Sequence, residues 1–184
     1  MARTILLSGA CGSGKSTLMN LGYRALERHL GPTAVIDTDT VLMMVDPRWE
    51  LSHEERRLDL AGYQCFLLAR SFLDAGFQCV IIGGNGLHTP DEINDLIALL
   101  LDVGDVFHVT LDPALTEIQS RVANRGGDQT PEWLADHVQW MRARYRSWTC
   151  CIDNTELSPE ATIAQVAERT AGGEGKVIAR LPAL

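Results

Sequence analysis

The sequence predicts an α/β protein with a five-stranded parallel sheet at its centre and helices on both faces. Short apolar runs alternate with segments of helical periodicity along the 184 residues, and strands joined by helical crossovers run parallel. One run, Phe77-Gln78-Cys79-Val80-Ile81-Ile82, is almost wholly apolar, as a strand covered by helices on both faces must be. No internal repeat or low-complexity linker divides the chain, so residues 1–184 read as a single domain.

Thr4-Ile5-Leu6-Leu7-Ser8 is the first strand, and the first helix runs from about residue 17 to the stop at Leu30-Gly31-Pro32. Thr33-Ala34-Val35-Ile36 is the second strand, and Val41 to Val45 begins a helix capped by Asp39 or Thr40. Asp46-Pro47-Arg48-Trp49 interrupts it. Ser52 and Glu55 then have capping-box spacing for a helix that puts Leu58, Ala61, Cys65, Leu68 and Phe72 on one face and ends at Gly76. The third strand, residues 77–82, turns at Gly83-Gly84-Asn85-Gly86, and Thr89-Pro90-Asp91-Glu92 starts a helix that closes near Val103. Residues 106–111 form the fourth strand. Asp112-Pro113 opens a helix through Arg121 and Arg125, broken at Gly126-Gly127, and Thr130-Pro131-Glu132 caps the next, which reaches about Trp148. Cys150-Cys151-Ile152 is the fifth strand, Ser158-Pro159-Glu160 starts the last helix, and the tail 173–184 takes no assignment.

Between the first strand and first helix lies Gly9-Ala10-Cys11-Gly12-Ser13-Gly14-Lys15-Ser16-Thr17, the pattern G-x-x-x-x-G-K-[ST] in its strand–turn–helix context. Glycines let the backbone curl with its N–H groups turned into one concavity, and the helix adds its unpaired N–H groups and positive dipole end. Lys15 supplies a point charge for β- and γ-phosphates, and the Ser16 hydroxyl is placed for Mg²⁺. The loop predicts nucleotide phosphate binding.

A net charge of −8 argues against a nucleic-acid or anionic-membrane binder, which needs a basic face. Cys11, Cys65, Cys79, Cys150 and Cys151 have neither metal nor disulfide spacing and read as buried thiols suited to the cytoplasm. No leader-like or membrane-spanning segment is evident.

In such sheets the ligand crevice lies outside the carboxyl ends of the strands. Asp37 and Asp39 follow the second strand, and in an extended segment residues two apart face the same way, so both carboxylates are placed to enter the crevice. One suits Mg²⁺ and the other a proton from an attacking hydroxyl, unless one merely caps the following helix. Arg121 and Arg125 lie one helical turn apart before the glycine break, on a flap able to bring cations to a transferring phosphoryl group; the plainer use is pairing with Glu117 or Asp128. Arg142 and Arg146 share a face and fit an acidic substrate or solvent equally, with Arg144 beside them. His53, His88, His108 and His137 read as structural or surface residues, with His88 close enough to the third strand to touch a substrate. Met43, Met44 and Trp49 suit either an acceptor wall or the core.

The loop, the Asp-x-Asp after strand two and the Arg-x-x-x-Arg before a glycine flap resemble the small-molecule P-loop kinases, a group that includes shikimate and gluconate kinases, adenylylsulfate kinase and chloramphenicol phosphotransferase-like enzymes. The resemblance implies a P-loop NTPase fold and a small lid at about residues 121–135. It also implies Lys15 and Ser16 as phosphate and Mg²⁺ residues, Asp37 or Asp39 as base with Asp37 near the metal, and Arg121 and Arg125 in the lid. Arg125 would stack on adenine, and the segment through Ile152-Asp153-Asn154-Thr155 would help hold that ring. The chain departs from the pattern where Gly83-Gly84-Asn85 stands in place of an acid after strand three; Asp37, Asp39 or Asp112 would have to compensate.

The expected activity is therefore ATP- and Mg²⁺-dependent transfer of the γ-phosphate to a hydroxyl of a small molecule: a sugar acid, a nucleoside or an antibiotic-like acceptor. The competing readings are a polynucleotide 5′-hydroxyl kinase and a nucleotide-dependent switch or ATPase. The sequence is compatible with a homodimer.

Overall fold

The computed structural model describes residues 2–21, 23–45, 55–85, 90–145 and 149–178. In chain order its elements are β1 (Arg3–Gly9), α1 (Lys15–Met19), α2 (Tyr23–Leu30), β2 (Thr33–Asp37), α3 (Thr38–Val45), α4 (Glu55–Asp74) and β3 (Cys79–Gly83). There follow α5 (Pro90–Leu100), β4 (Asp105–Leu111), α6 (Leu115–Asn124), α7 (Pro131–Tyr145), β5 (Cys150–Ile152), α8 (Pro159–Ala171) and β6 (Lys176–Val177).

Five strands run parallel in the order β2-β3-β1-β4-β5. The chain fills one side of β1 with β2 and β3, then crosses to the other with β4 and β5, so the topological switch point lies at the carboxyl end of β1, where the phosphate loop begins. A sixth strand, β6, adds to β4 antiparallel through Val106↔Val177 and Phe107↔Lys176. The tail from 173 is thus an edge strand over part of its length. Two residues are too few to show a period, which is why composition did not reveal it.

Side-chain alternation along β1 sorts the core into two layers. Leu6 packs with residues of α4, α5, α6 and α7, whereas Ile5 and Leu7 pack with α1, α2 and α8. All five residues of β3 are buried, as its apolar composition requires. Truncating a side chain such as Ile81, 1% exposed, to alanine would cost about 2–5 kcal/mol. Cys150 is buried and its neighbour Cys151 half-buried, in keeping with opposite faces of a strand.

Two helix boundaries differ from expectation. The first helix is two: α1 ends at Met19, with Asn20 as its C-cap, and α2 starts at Tyr23. Asn20 is a weak helix former, and as C-cap it closes α1. The helix after β2 begins at Thr38, directly from the strand, because the Asp37 carboxylate accepts the Asp39 N–H and caps it. The Ser158 cap of α8 is as predicted, accepting from the Ala161 N–H at 3.1 Å. The expected loop at 46–49, the capping box beginning at Ser52, and Thr89, Gly86, His53, His88, Trp49, Arg146 and Trp148 lie outside the described residues. Among the described residues no helix is long and apolar enough to cross a membrane.

Candidate active site

The phosphate loop closes tightly against α6. Gly12 has φ +82°, and a Cβ there would stand 2.8 Å from Val122 Cγ2 and 3.1 Å from the Ile118 carbonyl, so this position admits only glycine. The Ser13 N–H donates to the Ala10 carbonyl at 3.0 Å, which fixes the curl. Lys15 is buried and folds back over the loop, its Nζ donating to the carbonyls of Gly9 at 2.6 Å and Ala10 at 3.2 Å. Burial lowers its pKa to about 8; Cys11 and Asp39 oppose that shift and Arg125 adds to it. An ammonium so close to losing its proton gains most from an anionic ligand.

Arg121 does not stand out over the crevice as a lid arginine would. Its Nε pairs with Glu117 at 2.8 Å, Nη1 donates to the Ser13 carbonyl at 3.2 Å, and Nη2 donates to the Asn154 carbonyl at 2.9 Å. It therefore rivets the phosphate loop to the β5–α8 connection, combining the Glu117 pairing with a structural grip. Asn154, 4% exposed, donates from Nδ2 to the same Ser13 carbonyl at 3.0 Å. Arg125, the C-cap of α6, is exposed and reaches Cys11 Sγ with Nη2 at 2.8 Å. Residues 11–17, Asn85, Arg121, Asn124 and Arg125 line a cavity of about 420 Å³.

The two aspartates are not a pair on one extended face. Asp37 closes β2, whereas Asp39 lies in the first turn of α3. Asp37 Oδ1 caps the helix and its other oxygen takes no hydrogen bond among the described residues. Asp39 instead takes the Asn85 N–H on Oδ1 at 2.7 Å and the Asn85 Nδ2 on Oδ2 at 3.3 Å. Asn85 thus fills the place of the missing acid by anchoring one. Gly84 makes this approach possible: its φ is +137°, and a Cβ would press on the Thr38 hydroxyl and sit 3.1 Å from Asp37 Oδ1. Asp112 does not compensate, since Arg142 Nε holds its Oδ1 at 2.7 Å and Arg142 Nη2 donates to the Pro113 carbonyl at 3.1 Å.

A second cavity of about 310 Å³ adjoins the first, lined by Ser8, Gly9, Cys11, Gly84, Asn85, Gln129, Trp133, His137 and Met141. Cys11 and Asn85 line both cavities. On α7, Trp133 and His137 stack at 4.8 Å between ring centroids and His137 and Trp140 at 6.2 Å, while the Arg144 guanidinium lies 4.2 Å from the Trp140 ring centre. Ser8 Oγ bonds His108 Nε2 at 2.7 Å. His108 is fully buried, and burial pushes its pKa down to about 3, so the ring stays neutral.

Residues 5–148 match the AAA domain family. The chain belongs to that family. Similar solved structures give this AAA domain protein the kinase-like P-loop fold. The tunicamycin resistance protein of Deinococcus radiodurans is 20% identical with a TM-score of 0.64, over 99% of this chain and 100% of the other. A shikimate kinase from Acinetobacter baumannii in complex with shikimate is 20% identical with a TM-score of 0.59, over 94% of each chain. A gluconokinase from Sinorhizobium meliloti 1021 is 16% identical with a TM-score of 0.61, over 92% and 94%. No curated protein matches the chain by sequence.

The residues of this AAA domain protein fit a nucleoside triphosphate with Mg²⁺. The loop supplies a glycine cradle under the larger cavity and a buried cation. The exposed Ser16 hydroxyl and the uncommitted Asp37 oxygen are hard oxygen donors of the kind Mg²⁺ takes one or two of, with water and phosphate completing the shell. Among the described residues no group of three or more His, Cys, Asp or Glu is placed to hold a metal ion. Sequence reasoning read His137 as structural or surface and singled out neither Trp133 nor Met141. Their signal is the spacing Trp133, His137, Met141, one residue per turn on one face of α7 with Gln129 just before it, and such a stripe reads equally well as core.

Proposed function

We propose that this protein is an ATP- and Mg²⁺-dependent kinase that moves the γ-phosphoryl group to a hydroxyl of a small molecule. What supports this most is the pair of cavities that share Cys11 and Asn85 as a wall, one over the phosphate loop and one under α7. A triphosphate in the first and an alcohol in the second would meet at that wall, the proximity phosphoryl transfer needs. Lys15 leaves the carbonyls of Gly9 and Ala10 for the β- and γ-oxygens, and Arg125 approaches from the α6 end. Ser16 and Asp37 would hold Mg²⁺, which would neutralise phosphate charge. Asp39, anchored to Asn85 and close enough to Lys15 to act on its charge, orients the acceptor hydroxyl and takes its proton. Arg121 keeps the loop in shape rather than closing over it. The six-residue connection from Arg125 to Thr130 is the moving part, with Gly126 at φ +72° as its pivot. Five free thiols suit the reducing, ATP-rich cytoplasm.

The test is product analysis with γ-labelled ATP, Mg²⁺ and a panel of hydroxylated small molecules. Label on a small molecule supports the reading. Label on an oligonucleotide 5′-hydroxyl, or phosphate release that only a second protein stimulates, would overturn it.

A further inference from the structure

The chemistry of the second cavity narrows what enters it, and this inference rests on the kinase reading of that cavity as the acceptor site. Among the described residues that line it there is no Lys, Arg, Asp or Glu. A hydroxy acid brings a carboxylate, and a carboxylate leaving water needs a cation or several donors. Cations near it in sequence are spent elsewhere: Lys15 on the carbonyls of Gly9 and Ala10, Arg142 on Asp112 and the Pro113 carbonyl, Arg144 on the face of Trp140, Arg125 on Cys11. His108, beneath Ser8, is held neutral by burial and offers no charge.

What the cavity does present is flat and uncharged. Trp133 is 49% exposed while stacked on His137. An exposed tryptophan whose neighbour already stacks at a 16° interplanar angle offers a place for another ring. Ser8 and Asn85 add neutral polar groups to the wall, the first bonded to His108 and the second to Asp39. Gln129 donates to Asp128 through Nε2 at 2.7 Å, which fixes the orientation of its amide, and its Oε1 is buried with no hydrogen-bond partner. A volume of about 310 Å³ is at the small end for ligand pockets.

We propose that the acceptor is an uncharged alcohol bearing a planar ring, stacked on the Trp133–His137 column with its hydroxyl toward Asp39, and not a hydroxy acid. Nucleosides and aryl glycosides have this chemistry.

Calorimetric titration with uridine, phenyl β-glucoside, gluconate and shikimate, each in the presence of Mg–ADP, tests it. The expected result is binding of at least one of the two ring-bearing neutral alcohols and of neither acid. Trp133→Ala weakens that binding about tenfold, Trp133→Phe restores most of it, and neither changes the affinity for ADP. Because Trp133 is half exposed, its removal leaves the fold intact, and a thermal melt of each variant verifies this. Binding of either acid that Trp133→Ala leaves unchanged, or binding by neither neutral alcohol, overturns the inference. Labelled-ATP transfer in the same samples tells the two ideas apart. Transfer to an acid keeps the kinase and sinks the neutral acceptor; Trp133-dependent binding without any transfer keeps the pocket and sinks the kinase.

Discussion

Arg121 and Asn154, 33 positions apart in the chain, donate to one and the same oxygen, the carbonyl of Ser13, at 3.2 and 3.0 Å. Ser13 is the middle of the phosphate loop, so the loop's shape depends on a helix in the crossover from β4 to β5 and on the chain that leaves β5. Lysine cannot reproduce the guanidinium fork that reaches Glu117, Ser13 and Asn154 together. Arg121→Lys should therefore lower stability by about 2 kcal/mol, read as a shifted urea midpoint, besides weakening ATP. A lid arginine would give the opposite pattern, with stability untouched and only turnover lost.

Lys15 makes nucleotide binding pH-dependent. In the free protein its pKa is lowered to about 8, mainly by burial, so the amine is charged below that pH and increasingly neutral above it. Polyphosphate favours the charged form and raises the pKa again, so binding takes up a proton above pH 8. Affinity for ATP should weaken from pH 8 to 10, at most about tenfold per unit. Titration calorimetry in buffers of different ionisation enthalpy measures the proton uptake, and Lys15→Met should abolish it. The folding linkage has the other sign: the unfolded chain holds the proton up to 10.5, so unfolding binds protons between about 8 and 10.5 and Lys15 adds stability as pH rises through that window.

The two aspartates should separate in kinetics. Asp39→Asn keeps an acceptor for the Asn85 N–H but removes the base, so kcat should fall about 10²–10⁴-fold with ATP affinity little changed. Asp37→Asn remains a good helix cap. Its effect should be a raised Mg²⁺ requirement, visible as a shifted Mg²⁺ activation curve whose saturating rate partly recovers. Identical defects in both variants would dissolve the division of labour.

The sheet, the helices and the phosphate loop were legible because their signals are local: apolar runs, glycine terminators, a cap such as Ser158. Arg121 and the aspartates were found as candidates, but their hydrogen-bond partners were not. Whether Arg121 closes over a ligand or grips Ser13 depends on the distance from α6 to the β5–α8 connection, which no spacing in the sequence encodes. The extended-segment argument for Asp37 and Asp39 failed because Asp37 starts α3 at once, turning the next residues through a helical step. The contacts of the α7 stripe and of Asn85 escaped for a related reason. A stacked Trp–His pair and an amide in place of an acid gain meaning only when β3 and α7 are seen on either side of one cavity.

His108 should set the acid limit of the fold. It is fully buried on β4 with Nε2 against Ser8 Oγ, and burial pushes its pKa down to about 3 from 6.5. The unfolded chain protonates this ring below about pH 6.5 while the folded one does not, so unfolding takes up a proton as the pH falls from 6.5 toward 3. A folded-state pKa depressed in this way costs stability at up to about 1.4 kcal/mol per pH unit across that window. His108→Gln keeps a polar partner for Ser8 and cannot titrate. Its urea midpoint should start below that of the wild type at pH 7 and fall less steeply between pH 6 and 4. Parallel lines would mean that carboxylates elsewhere, not this imidazole, govern acid unfolding.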